Sequence, residues 1–380
     1  MKYFLIPTLF IFIACSEKPK DPIAVAFDES AMLNKIAHDS AYEVQIIFTD
    51  IVRRENELSL KDYTFQLNDR NYFYPASTVK LPAAILSLEK LEYLRSQGIA
   101  INRETPFKIV GDTLPGSVAS YIAQIFAVSD NNAYNHLYGF LGRDEINERM
   151  REKGMLNFQI SHRLSTPDSA NDTLKTVTFY LTEENQYTQA SGINKPIKKL
   201  SLNNLEKGLG YYKDDSLIME PFDFSLKNYY PLTTAHETLK RLFFPEIYPK
   251  NQQFNLSDDD RDFLMETMAL LPKESRYKPY DSIGFYDSYV KFFLFGDSKK
   301  TIPKSIKIYN KVGDAYGYLT DVAYIVDLKN KVEFMLSATI HVNKDGIFND
   351  DNYEYETVGI PFLAELGRQL YQYKLETSKR

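Results

Sequence analysis

The stretch NYFYPASTVKLPAAILSLEKL, residues 71–91, passes from an extended aromatic segment into an apolar run of helical spacing, and it places Ser77 and Lys80 three residues apart at the junction. Residues i and i+3 share one face of a helix, so Lys80 is expected to bring its amine within hydrogen-bond reach of the Ser77 hydroxyl. A serine is a poor nucleophile until a neighbouring base takes its proton. A lysine serves as that base where burial or another cation keeps its amine neutral. The first turn of the helix adds backbone N–H groups with no intrahelical acceptor, which are free to bind an oxyanion. The same spacing also describes an ordinary N-cap serine followed by a solvated lysine, so the chemistry has to be sought in what surrounds it.

On both sides of this helix the chain reads as mixed α and β. Before it, PIAVAFDESAMLNKIAHDSA has helical spacing, and YEVQIIFTDIV and DYTFQLND read as strands. After it, helices are expected over 117–127 and about 132–152, with Gly98, Gly142 and Gly154 as punctuation. From about residue 165 to 227 the pattern turns polar, with a hairpin-like TLKTVTFYLTEENQYTQASG, and reads as a long insertion. Helical patterns return in TTAHETLKRLFF and SDDDRDFLMETMALL, the latter with Ser257 as N-cap and an acidic first turn. SIKIYNKVG, YLTDVAYIVDL and KVEFMLSATIHV then read as three strands, and IPFLAELGRQLYQY as a closing amphipathic helix. Strands from both ends can build one five-stranded antiparallel sheet, with a helical lobe (about 77–160) inserted between them, an α/β architecture in the α+β sense.

Two further stretches bear on Ser77. In AVSDNNAYNHL, Ser129, Asp130 and Asn131 sit between two apolar helical segments, and in IYNKVGDAYGYLTDVAYIV, Lys311 and Gly313 end one strand before another begins. Taken in order, Ser-x-x-Lys, Ser-Asp-Asn and Lys-x-Gly resemble the three elements of the serine β-lactamase and penicillin-binding protein superfamily, class A β-lactamase most closely. The resemblance spans most of residues 40–375 and implies that fold and a two-step acylation and deacylation. It implies Ser77 as the acylated nucleophile, Lys80 as its proton partner and Ser129 as the relay to the leaving nitrogen. Asn131 would then hydrogen-bond the substrate and Lys311 supply positive charge, with Gly313 and the backbone N–H of Asp314 completing the substrate and oxyanion site.

The chain departs from that pattern twice. Val312 stands where the family has Thr or Ser, removing a hydroxyl that helps hold the substrate carboxylate; Ser305 and Tyr316 are the candidates to replace it. In place of the class A glutamate that activates the deacylating water, the chain reads SHRLSTPDSANDTL, in which Asp168 and Asp172 are the nearest carboxylates. Asp168 is the candidate substitute; Glu183, Glu184 and Glu220 read as surface carboxylates of the insertion. The expectation is a class A β-lactamase-like serine hydrolase acylated at Ser77 by a β-lactam or a related amide or ester, with β-lactam turnover poor for want of that glutamate. The alternatives are a D,D-peptidase or esterase of the same superfamily, or a non-catalytic surface lipoprotein that keeps the fold for binding.

The 380 residues are 44% hydrophobic and 25% charged with a net charge of −6, which suits a globular core and disfavours a nucleic-acid partner. The five histidines, His38, His136, His162, His236 and His341, show no metal-ligand spacing, so neither a metal nor another cofactor is expected. The expected partner is a small-molecule or peptidoglycan-like substrate. At the N-terminus, MKYFLIPTLFIFIACSEKPKD has an early cation, an apolar stretch too short to span a membrane, and the chain's only cysteine. Phe12 to Cys15 resemble a bacterial lipobox, implying removal of residues 1–14, lipid on Cys15, a tether over 15–24 and attachment to the bacterial cell envelope. The plainer alternative is a cleaved secretory signal in which Cys15 is incidental.

Overall fold

The computed structural model describes residues 21–54 and 57–377. Its centre is a five-stranded antiparallel sheet in the spatial order Ile306–Ala315, Tyr318–Asp327, Val332–His341, Gln45–Arg54 and Glu57–Phe65. The two N-terminal strands join the three C-terminal ones through Gln45–Arg54, which pairs with Val332–His341 in a register that sets Thr49 opposite Met335. Ile306–Ala315 is an edge strand, and it is the one that carries Lys311 and Gly313.

Helices cover both faces of this sheet. α1 (Pro22–Glu29) and α2 (Ala31–Ala37) precede it; α3 (Lys80–Ser96), α4 (Val118–Val128), α5 (Asn131–Leu141) and α6 (Arg143–Glu152) make the inserted lobe. α7 (Leu232–Phe243) and α8 (Asp258–Ala269) follow the insertion, and α9 (Ile360–Thr377) ends the chain. One apolar cluster joins α1, α2 and α9 to one sheet face through Phe27, Phe334, Phe362 and Leu366. A second joins the other face to α7 and to the lobe through Leu239, Met335, Leu86 and Tyr138. Because the central strands are covered on both sides, they read as near-continuous apolar runs rather than clean alternations.

α3 is the axis of the lobe. Its residues are buried almost all round, Lys80 and Lys90 included, which is why its sequence lacks a strong amphipathic stripe. It ends at Gly98, whose φ of 82° supplies the left-handed cap. Two boundaries differ from the sequence reading. α3 begins at Lys80, three residues late, because Ala76–Val79 form a tighter 3₁₀ turn, and the helix expected over about 132–152 breaks at Gly142 (φ 84°) into α5 and α6. At the N-terminus Asp21 caps α1 by accepting from the Ile23 N–H at 2.9 Å, so residues 22–24 are helix, not tether. Cys15 lies outside the described residues.

The insertion is built from short pairings. Val177–Tyr180 and Gln186–Gln189 form the expected hairpin, and Gly210–Lys213 pairs in parallel with Ile347–Phe348, just before the cleft residues Asn349 to Tyr355.

Candidate active site

Each of the three sequence elements arrives at the cleft by a different piece of local geometry. Ser77 lies in the 3₁₀ turn that opens α3, directly after Ala76, whose φ of 46° is in the left-handed region. The Ser-Asp-Asn element is a helix junction: Ser129 is the C-cap of α4 at φ 58°, Asp130 is the N-cap of α5 and accepts from the Ala133 N–H at 2.9 Å, and Asn131 is the first helical residue. Lys311 and Gly313 come from the edge strand, which turns into its neighbour through Tyr316 and Gly317, both at positive φ, as a two-residue hairpin requires.

Positive φ is concentrated here. Of the twelve such non-glycine residues among the described residues, six (Ala76, Ser129, Ser165, Tyr316, Asn349 and Asp351) line the cleft. Backbone held in sparsely populated conformations costs on the order of 1–3 kcal/mol per residue and persists where the surrounding structure fixes it, commonly at functional sites.

At the junction of the three elements, two buried lysines hold one hydroxyl. Lys311 Nζ donates to Ser129 Oγ at 2.8 Å and to the Val312 carbonyl at 2.8 Å. Lys80 Nζ lies 3.3 Å from the same Ser129 Oγ and donates to the Ser129 carbonyl at 2.5 Å and to Asn131 Oδ1 at 2.7 Å. Asn131 is held from its other end, donating from Nδ2 to Ser165 Oγ at 2.9 Å. Lys80 is 0% and Lys311 2% exposed, and that burial governs their charge. Desolvation lowers the Lys80 pKa to about 7, against the pull of Asp314 and Asp130. It also takes Lys311 well below the usual lysine range, with the neighbouring Lys80 charge adding to the fall. An amine at that pKa is neutral in a large fraction of molecules near neutrality. It can then donate to the Ser129 carbonyl and Asn131 and keep a lone pair for a proton.

The expected Ser77–Lys80 hydrogen bond is not among those the structure makes: Lys80 is turned toward Ser129 and Asn131. The reason is the 3₁₀ turn, in which Ser77 does not stand on α3 itself. Catalytic hydrogen bonds of this kind commonly form only when substrate is bound. Gly313 packs tightly under the turn that carries Ser77; a Cβ there would lie 2.7 Å from the Pro75 oxygen, 2.9 Å from the Ser77 nitrogen and 3.0 Å from the Thr78 nitrogen. In the hairpin ladder Ala315 opposes Tyr318 next to the turn, so the following pair, Asp314 and Leu319, is a wide one. That alternation leaves the Asp314 N–H on the outer edge of the strand, on the side open to a substrate oxyanion.

Two arms of the cleft meet at Ser77, Asn131, Asp314 and Tyr355. One, of about 560 Å³, is lined by Tyr74, His162, Arg163, Ser165, Lys227 and Tyr316. The other, of about 420 Å³, runs past Ser129 between Tyr289, Phe292, Val312 and Glu356. The residues that sequence reading did not reach are Ser165, His162, Lys227 and Glu356. They belong to the insertion and to the segments around residues 162 and 356, which fold onto the cleft without any motif of their own.

The proposed deacylation carboxylate does not reach the site. Asp168 accepts from Thr166 Oγ1 at 2.7 Å, which lowers its pKa, and lines a separate recess with Asp112, His136 and Lys175. Asp172 is paired with Arg143 at 2.6 Å, and Glu183, Glu184 and Glu220 are exposed and away from the cleft lining. From residues 160–172 the cleft takes His162, Arg163, Leu164, Ser165, Thr166 and Ser169, none of them a carboxylate. The substitutes suggested for the missing Val312 hydroxyl do not stand beside it either. Tyr316 lines the other arm, Ser305 lines neither, and Val312 packs into the apolar cluster under α9. No group of His, Cys, Asp and Glu able to hold a metal ion occurs among the described residues, and no helix there is long and apolar enough to cross a membrane.

A family model described as "Beta-lactamase enzyme family" matches residues 30–207, a span that includes Ser77, Lys80, Ser129 and Asn131. Among solved structures, a β-lactamase from Xanthomonas campestris pv. campestris superposes with a TM-score of 0.53 at 14% identity, covering 92% of this chain and 98% of that one. A representative of class A β-lactamase from Bacteroides cellulosilyticus gives 0.53 at 12%, covering 94% and 99%. The β-lactamase from Streptomyces albus G gives 0.51 at 12%, covering 91% and 99%. No curated protein matches the sequence. At these identities the likeness is one of fold.

Proposed function

We propose that this chain is a serine hydrolase of the β-lactamase and penicillin-binding protein superfamily, a reading supported by its fold and by the family-model match over residues 30–207, and that it acts by acylation of Ser77 on an ester or amide and releases β-lactams poorly. The observation that carries the reading is Ser129 Oγ held between the two buried amines, Lys311 at 2.8 Å and Lys80 at 3.3 Å, in the wall of the cleft that Ser77 also lines. Ser77 Oγ adds to the substrate carbonyl while its proton passes to neutral Lys80, and the backbone N–H groups of Ser77 and Asp314 take the developing oxyanion. The bond to the leaving nitrogen or oxygen breaks as Ser129 gives that atom its proton, and Ser129 is reprotonated from Lys80. Water then adds to the acyl ester, releasing the acid and restoring the Ser77 hydroxyl.

Poor β-lactam turnover follows from two absences within this site: the 160–172 segment presents no carboxylate to the acyl ester, and Val312 offers no hydroxyl to the β-lactam carboxylate. Intact-mass measurement tests both halves. A fluorophosphonate is expected to add once to the parent chain and not to Ser77→Ala, and a penicillin to add slowly and stay bound for hours. Labelling of Ser77→Ala at the parent's rate would remove Ser77 as nucleophile, and rapid loss of the penicillin adduct with product release would make the protein a working β-lactamase.

Attachment to the cell envelope through lipid on Cys15 belongs to the same reading, supported by the sequence from Lys2 to Cys15. An alkyne fatty acid fed to an expressing bacterium is expected to label the parent and not Cys15→Ser; equal labelling of the two would sink the idea.

A further inference from the structure

The arm of the cleft that takes the leaving group is acidic and aromatic. Ser129 identifies it: the hydroxyl that protonates the leaving atom opens into this arm of about 420 Å³. Its lining contains no Lys, Arg or His, yet it contains two carboxylates, Asp314 and Glu356, both open to the cleft. Neither carboxylate forms an ion pair or a side-chain hydrogen bond among the described residues, whereas the buried Asp260 is paired with both Arg95 and Arg103. Lys80 and Lys311 lie behind Ser129, outside the lining, and their donors are engaged by Ser129, Asn131 and Val312. Lys299 stands outside the lining, 5.1 Å from the centre of the Tyr286 ring.

Desolvation raises the Asp314 pKa against the opposing pull of Lys311 and Lys80, and the Glu356 charge adds a smaller rise, so the two acids of the arm sense each other. The walls are Tyr289, Phe292 and Tyr355, rings whose faces attract a positive charge, with the apolar Val312 and Ile360 below. A carboxylate-bearing leaving group would meet two like charges here and no hydroxyl at position 312. An ammonium would meet two free carboxylates and aromatic faces.

The geometry points to a substrate whose leaving portion carries a cationic amine or ammonium group, seated between Asp314, Glu356 and the rings of Tyr289, Phe292 and Tyr355. This rests on the acyl-enzyme reading for the direction of the reaction, but the binding site it describes does not need turnover to be measured.

The test is therefore a binding comparison on the Ser77→Ala chain with three probes of one shape: choline, its neutral isostere 3,3-dimethylbutan-1-ol, and the anion 3,3-dimethylbutanoate. Calorimetric titration is expected to show choline binding about tenfold tighter than the alcohol and the anion weakest of the three. Glu356→Gln in the same background is expected to narrow the choline-to-alcohol ratio by about threefold or more. Equal affinities, tighter binding of the anion, absence of choline binding, or a ratio untouched by Glu356→Gln would each overturn the assignment. Failure of the acyl-enzyme reading shows separately, as a parent chain that no fluorophosphonate labels.

Discussion

Replacing Lys80 with methionine is expected to lower the rate of acylation at Ser77 by about 10²–10⁴-fold, the range associated with a positioned proton acceptor. The side chain is nearly the same length, so α3 keeps its packing, and what is lost is the amine beside Ser129 and Asn131. The pH profile separates a catalytic role from a structural one. In the parent, burial sets the Lys80 pKa to about 7, so the neutral, proton-accepting form grows as pH rises and the acylation rate should climb through that region. Stability carries the same signature. The unfolded lysine titrates near 10.4 while the folded one titrates near 7. Between those values the unfolded chain holds a proton that the folded chain does not, so stability rises with pH across that window and the cost of burying the cation is complete below it. Lys80→Met should lose the climb in rate and flatten part of the rise in thermal stability; Lys311, lowered in the same direction, retains its own share. A variant that acylates at the parent's rate, or that keeps the parent's rate profile around pH 7, would rule Lys80 out as the base.

Gly313→Ala is the second large effect. The added methyl carbon would sit 2.7–3.0 Å from three backbone atoms, Pro75 O, Ser77 N and Thr78 N, none of which can swing aside as a side-chain tip can. Either the edge strand or the turn at Ser77 must move, and each carries one of the two N–H groups proposed to take the oxyanion. Loss of one such donor costs about 10²–10³ in rate, and overpacking about 1–3 kcal/mol in stability. The expected result is therefore a drop of that size in fluorophosphonate labelling, with a fall in Tm of a few degrees. Unchanged labelling and unchanged Tm would show that the strand does not press on Ser77.

The order of the three elements that line the cleft, the strands and most helices could be read from residue pattern, because each is a local matter. Near-continuous runs rich in β-branched and aromatic residues, such as YLTDVAYIV, make strands where both faces are covered, and Ser129-Asp130-Asn131 make a helix junction by cap chemistry alone. The turn at residues 76–79 was less legible, since Ala76 takes a left-handed conformation that alanine does not advertise. Asp168 shows the limit most plainly. Its place in the sequence suited a deacylating carboxylate, yet the loop's own bond from Thr166 turns it into a neighbouring recess while Ser165, three positions earlier, reaches Asn131.

What the sequence by itself determined is the fold, through the length and pattern of its apolar segments, and which residues to look for in the cleft: Ser77, Lys80 and the Ser129-Asp130-Asn131 element. What only the tertiary structure decided is the charge and company of those groups. The burial that lowers Lys80 and Lys311, the contact of Gly313 with the turn at Ser77, and the placing of Asp314 and Glu356 in one arm of the cleft join residues distant in the chain. Desolvation and Coulomb energy depend on distances through space, and only packing of the edge strand against the lobe sets them.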